Sequence, residues 1–221
     1  MRPFNEYDVI IFDCDGVILD SNTLKIDAMR NALQESAITS KEVGECTSFF
    51  TNNFGKSRFY HVDYFVENLL EIENLAIKEF KDNLLISYSK QCKRLYLFAN
   101  KTPFISELLI KSSVSKYVAS GSEQQELREV FQLRELDSYF NDIFGSPEKK
   151  INHVTNILAN HPSLKVVMIG DAVSDLEAAK DNNIDFIFYS PFSNVKAKMR
   201  KLCLQFEYRI IDSFEEVLNE L

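Results

Sequence analysis

The chain has 221 residues, 45% of them apolar, enough to bury a substantial core in one large domain or in one domain carrying an insertion. A formal net charge of −8 and an isoelectric point near 5.0 argue against nucleic acid or an anionic membrane as partner, and leave a small molecule. No apolar stretch approaches the roughly 20 residues a membrane helix needs, and the start Met-Arg-Pro-Phe-Asn-Glu reaches charged Asp8 and Asp13 before a signal-type segment can form, so cytoplasmic residence is expected.

The first strand is expected at Val9-Ile10-Ile11-Phe12, a continuous apolar run of the kind shown by strands buried on both faces. It leads straight into Asp13-Cys14-Asp15-Gly16-Val17. In open α/β sheets reactive groups project from the carboxyl ends of such strands. There one carboxylate can serve as a covalent nucleophile while a second, two residues on, supplies and removes a proton. An Asp-x-Asp-Gly stretch also suits a calcium loop or a plain turn.

Residues 23–93 contain no convincing strand. Apolar residues recur there at helical spacing, as in Ala28, Ala32 and Leu33 and then Phe65, Leu69 and Ile72. Helices are expected over 42–53 and 59–70, separated by the turn Gly55-Lys56-Ser57-Arg58. A helical block placed directly after the first strand reads as an inserted cap. The expected division is therefore a core of 1–22 and 94–221 with a helical cap of 23–93.

Beyond residue 100, short apolar runs alternate with amphipathic stretches, the pattern of βαβ units and a parallel sheet. Strands are expected at 117–119, 142–144, 165–169 and 185–189, with a weaker one at 208–211. Helices are expected at 104–110, 123–132, 150–158, 176–180 and 195–202, and a last one from Ser213, an N-cap with Glu216 three residues later. The fold class is thus α/β, a Rossmann-like parallel sheet with helices on both faces and a small all-helical cap. Cys14, Cys46, Cys92 and Cys203 show no paired spacing and read as reduced thiols. None of the three histidines lies near a Gly-x-Ser-x-Gly pattern, which argues against a Ser-His-Asp hydrolase.

Three more clusters follow strands. Tyr117-Val118-Ala119 leads into Ser120-Gly121-Ser122, where a hydroxyl, a flexible glycine and the free N–H groups of the next helix can form an anion pocket or an ordinary N-cap. Gly145-Ser146-Pro147-Glu148-Lys149-Lys150 offers lysines that could hold a phosphoryl group or simply be solvated. Val166-Val167-Met168-Ile169-Gly170 ends in Asp171, with Asp175 four residues on, positioned to share a cleft or to cap a helix. Four carboxylates, Asp13, Asp15, Asp171 and Asp175, cannot all stay ionised at close quarters without a cation, and oxygen-only ligands beside a phosphate imply Mg2+.

These motifs, in this order, resemble the haloacid dehalogenase (HAD) superfamily, and the resemblance covers essentially the whole chain. It implies that Asp13 attacks phosphorus and that Asp15 protonates the leaving alcohol and later activates water. The metal ligands it implies are the Asp13 carboxylate, the Asp15 backbone carbonyl, Asp171 and Asp175. Ser120, with Gly121, and Lys150 would bind phosphoryl oxygens; members with a Gly-Ser-Pro-x-x-Lys motif place the lysine three after proline, which selects Lys150 over Lys149. Asp15 points away from the dehalogenases and phosphonate-cleaving enzymes, which lack this second acid. A cap just after the first motif resembles the branch of phosphoglycolate phosphatase and β-phosphoglucomutase, but the mutases carry a histidine where this chain has Lys25.

Lys25 could contact substrate across the cap hinge or be an exposed helical lysine. Gly55-Lys56-Ser57-Arg58 resembles a loop of phosphatases linked to surface-sugar pathways, and Arg58 could reach substrate or be a surface charge. The expected activity is Mg2+-dependent hydrolysis of a small phosphate monoester (sugar, polyol or amino-alcohol phosphate) by a monomer or weak homo-oligomer. A sugar-phosphate mutase and a non-catalytic phosphate-binding module are the alternatives.

Overall fold

The computed structural model describes residues 2–162 and 164–221. Strand β1 (Val9–Phe12) is buried throughout. Because successive strand side chains point to opposite faces, Ile10 and Phe12 join one apolar cluster and Val9 and Ile11 the other. A short β2 (Leu19–Asp20) follows the acidic turn and leads into helix α1 (Asn22–Gln34). Next come α2 (Ser40–Asn52), α3 (Arg58–Tyr64), a π-helical turn (Phe65–Leu69) and α4 (Ile77–Phe98).

Thr39 and Glu42 close a reciprocal capping box at the start of α2. The helix expected over 59–70 divides into α3 and the π turn. α4 was not expected as one 22-residue helix; Leu84, Tyr88, Cys92 and Tyr96, buried at every fourth position, form the stripe that docks it. The chain then returns through β3 (Asn100–Lys101), antiparallel to β2, so a two-stranded ribbon brackets the helical insertion.

The rest alternates α5 (Ile105–Lys111), β4 (Ser115–Glu123), α6 (Gln124–Leu133), β5 (Asp142–Ser146), α7 (Lys150–Asn160), β6 (Val166–Gly170), α8 (Val173–Asp181), β7 (Asp185–Tyr189), α9 (Lys196–Gln205), β8 (Arg209–Ile211) and α10 (Glu215–Leu218). The main sheet has six strands in the order β5-β4-β1-β6-β7-β8, and its paired strands are all parallel. β4 outruns the expected 117–119, carrying Ser120 to Ser122 along a register shift before Glu123 rejoins Ser146 of β5. With β1 at the centre, the ends of β1, β4 and β6 lie side by side, and the four clusters converge there. Among the described residues no helix is long and apolar enough to cross a membrane.

Candidate active site

Asp13 leaves the end of β1, Asp171 the end of β6, and Asp175 sits on the first turn of α8; all three are buried. An oxygen from each lies within 4.8 Å of the others. Two glycines make this approach possible. A Cβ on Gly170 would collide with the Asp175 side chain, and one on Gly16 would collide with Asp171 and Asn22; Gly16 also adopts φ +74°, a region that disfavours other residues. Asp175 Oδ2 accepts the backbone N–H groups of Ala172 at 2.9 Å and Asp171 at 3.1 Å, so capping and site-building are one function here.

Lys150, at the start of α7, is the cation of this cluster. Its Nζ is paired with Asp175 and lies 3.0 Å from Asp13 Oδ1. Asp171 Oδ2 accepts from Asn22 Nδ2 at 2.6 Å. Among the described residues, Asp171 Oδ1 is buried with no hydrogen-bond partner, and Asp13 Oδ1 has the Lys150 ammonium beside it. Burial pushes the Asp13 carboxyl up to about 7, the Asp175 charge adding to this and Lys150 opposing it. Burial and the charges of Asp13 and Asp175 likewise raise Asp171 well above the carboxylate range. Three carboxylates share one ammonium, and Asp171 Oδ1 is left without a partner. This donor set fits a hard divalent cation.

Asp15 turns elsewhere. Its carboxylate accepts from Ser21 Oγ at 2.6 Å, Lys25 Nζ at 2.8 Å, Tyr96 Oη at 2.8 Å and Ser122 Oγ at 2.9 Å. Burial disfavours its charge, but the Lys25 charge and these hydrogen bonds outweigh burial and hold it below the usual carboxylate range. Lys25 is 7% exposed and also donates to Ser122 Oγ at 2.7 Å, which corrects its reading as an exposed helical lysine. The partners Ser21, Asn22, Tyr96 and Ser122 were not singled out as site residues. Ser21 and Asn22 open the helix after the acidic turn, whereas Tyr96 lies 81 residues from Asp15 and carries no sequence signal.

Ser120 and Gly121 sit on the exit of β4, Ser120 Oγ accepting from Ser122 N at 3.2 Å. The cap lies directly on this tip: a Cβ on Gly121 would stand 2.5 Å from the Gly55 carbonyl oxygen. Gly55, at φ +91°, abuts Ser174 and Ala172 on the other side, so its turn is wedged between the ends of β4 and β6. Arg58 is not a surface charge. It is 4% exposed and donates to both carboxylate oxygens of Glu126 on α6 at 3.0 Å, with its guanidinium over the Tyr88 ring. Glu126 was not foreseen as its partner, since 68 residues separate them.

The wedged turn splits the space between cap and core. Outside lies a cleft of ≈ 490 Å³ whose lining includes Lys56, Tyr60, Ser146, Lys150 and Ser174. Inside lies a small pocket whose lining includes Asp15, Lys25, Arg58, His61 and Ser122.

Residues 10–189 match the family described as haloacid dehalogenase-like hydrolase. The chain belongs to that family. No curated protein matches it. Among solved structures, this haloacid dehalogenase-like chain is similar to a predicted phosphatase from Clostridium acetobutylicum, with 18% identity over 97% of this chain and 99% of that one and a TM-score of 0.72. A predicted phosphoglycolate phosphatase from Haemophilus somnus has 16% identity, 97% coverage of both chains and a TM-score of 0.71. A haloacid dehalogenase-like family protein from Streptococcus pneumoniae has 19% identity over 97% of this chain and 98% of that one, with a TM-score of 0.67. At these identities the likeness is one of fold.

Proposed function

We propose that this protein is a Mg2+-dependent phosphatase of small phosphate monoesters, acting in the cytoplasm through a phosphoryl group carried on Asp13. The observation that carries this reading is the convergence of Asp13, Asp171 and Asp175 within 4.8 Å beside Lys150, with the buried Asp171 Oδ1 left without a partner among the described residues. The cap is taken as 23–93 and the core as 1–22 and 94–221.

In the proposed reaction, a carboxylate oxygen of Asp13 attacks phosphorus and the bond from phosphorus to the leaving oxygen breaks. Asp15 gives its proton to that oxygen, releasing the alcohol. Asp15 then takes a proton from water as the water oxygen attacks phosphorus, and the bond to Asp13 breaks to release phosphate. Asp13, Asp171 and Asp175, with the Asp15 carbonyl, would hold Mg2+, which supplies charge neutralisation and polarisation of a phosphoryl oxygen. Lys150 and Ser120, with the backbone at Gly121, would bind the remaining phosphoryl oxygens. In the closed arrangement Asp15 is an ionised acceptor of four donors, the form needed to activate water. Acting as acid requires it to bind a proton and loosen its pairing with Lys25. The notch between cap and core admits small metabolites rather than macromolecules, because closure must exclude bulk water.

The test is phosphate release from a panel of sugar, polyol, amino-alcohol and nucleotide monophosphates, with Mg2+ or with EDTA. Metal-dependent release by the wild type that disappears in Asp13→Asn is expected. Release that survives in Asp13→Asn would overturn the role of Asp13, and no release from any ester would overturn the phosphatase reading.

A further inference from the structure

Asn22, the first residue of α1, is 2% exposed, and its side-chain amide is pinned by what it donates to. Nδ2 donates to Asp171 Oδ2 at 2.6 Å and to the carbonyl oxygen of Phe192, in the loop after β7, at 2.9 Å. Among the described residues its Oδ1 has no partner. Turning the amide over would set that oxygen against two acceptors, so the side chain leaves one buried acceptor unpaired in order to present its donors.

The two carboxylate oxygens of Asp171 are thereby made different. Oδ2 is enclosed between Asn22 and Gly16, where an added Cβ would stand 2.4 Å from that oxygen. Oδ1 is buried and, among the described residues, unpaired. Ser193 Oγ, from the same loop as Phe192, donates to the Asp171 carbonyl oxygen at 2.6 Å, so the backbone of the residue is held as well. Tethering α1 to this loop needs only the contact with Phe192. The donation to Asp171 Oδ2 goes beyond it.

The other two carboxylates of the cluster are restricted in the same way. Asp13 Oδ1 faces Lys150 Nζ at 3.0 Å, and Asp175 Oδ2 accepts the backbone N–H groups of Asp171 and Ala172. In each of the three, the protein itself engages one oxygen. Such a set offers a cation single oxygens rather than oxygen pairs. Mg2+ is small and demands near-octahedral geometry, whereas Ca2+ takes roughly six to eight oxygens and readily accepts both oxygens of one carboxylate.

Resting on the phosphatase reading and its Mg2+ site, we propose that Asn22 is a positioning residue that biases the site against Ca2+: by occupying Asp171 Oδ2 it leaves Asp171 a ligand through Oδ1 alone. Groups that hydrogen-bond a ligating carboxylate set its orientation and tune the metal, although they never touch it. Lys150 and the backbone N–H groups impose this restriction on Asp13 and Asp175; for Asp171 it falls to Asn22.

The test is isothermal titration calorimetry of the full chain with MgCl2 and, separately, with CaCl2, for the wild type, Asn22→Ala and Asn22→Leu. The quantity read is the ratio of the Kd for Ca2+ to the Kd for Mg2+. In Asn22→Ala this ratio should fall about tenfold or more, the scale on which partners of metal ligands act, and mainly through a gain in Ca2+ affinity. Asn22→Leu keeps the bulk of the side chain without its donors and should fall in the same direction; a wild-type ratio in Asn22→Leu would show that bulk rather than the hydrogen bond shields Oδ2, and would overturn the proposal. A general loosening of α1 weakens both ions alike and leaves the ratio where it was, which would also overturn it. Should Asn22→Ala fail to melt cooperatively, Asn22→Ser, with a shorter side chain and a single donor, takes its place under the same criterion. Mg2+ binding with an unchanged ratio in the variants removes the role of Asn22 alone; a wild type that binds neither ion removes the Mg2+ site and this role together.

Discussion

His61 makes a prediction about stability. Burial, with smaller contributions from the Lys25 and Lys56 charges, lowers its imidazole to about 3, against 6.5 for the free side chain. The unfolded chain therefore binds a proton between these values that the folded chain resists. Stability from this residue is complete above about pH 6.5 and is lost as pH falls toward 3, with a slope that approaches about 1.4 kcal/mol per pH unit. Urea unfolding measured from pH 7.5 to 5 should show this loss in the wild type and a visibly shallower one in His61→Phe. Parallel curves for the two proteins would mean that His61 is already solvated or paired in the folded state. The residue was not legible in the sequence: a single histidine on a helix gives no sign of what covers it. Asp13, Ser120 and Asp171 were legible, because each follows an apolar run whose burial dictates that the next residue emerges at a sheet edge.

At the scale of elements, the Arg58–Glu126 pair joins α3 of the cap to α6 of the core. Removing one partner leaves a buried charge unmatched, which typically costs about 3–5 kcal/mol, whereas replacing both by apolar groups is often near neutral. Glu126→Ala should therefore lower the urea midpoint sharply, and Arg58→Leu combined with Glu126→Leu should restore much of the loss. A small effect of Glu126→Ala alone would show that water reaches the pair and that the cap spends much of its time lifted. The elements themselves were readable to within a few residues wherever periodicity was clean, as at β1, α6 and β7. α4 was not, because its stripe of Leu84, Tyr88, Cys92 and Tyr96 mixes tyrosine and cysteine into an otherwise polar stretch. Pairings across the cap–core boundary were also beyond reach, since they depend on how two helices far apart in the chain come to rest.

For the whole molecule, the proposed Mg2+ site, with its carboxylates at the ends of β1 and β6 and on α8, predicts that folding is coupled to cation binding. Adding Mg2+ at about 100 times its dissociation constant stabilises a single-site protein by about 2.7 kcal/mol, and for a chain of this size that corresponds to a rise in Tm of roughly 5–10 °C. Thermal melts with Mg2+ and with EDTA should show this shift in the wild type and a much smaller one in Asp171→Asn. An unmoved wild-type Tm at millimolar Mg2+ would mean that the three carboxylates do not hold the ion.

The first turn of α1 carries both Asn22, which donates to Asp171, and Lys25, which donates to Asp15. Both belong to the helix through which the chain enters the cap. A tilt of that helix would withdraw a donor from each acidic centre at once, Asn22 from Asp171 and Lys25 from Asp15, leaving Lys150, among the described residues, as the one cation beside Asp13 and Asp175. Access and disarmament then become the same movement: a molecule open enough to admit a bulky ester has, by opening, dismantled the arrangement that would cleave it.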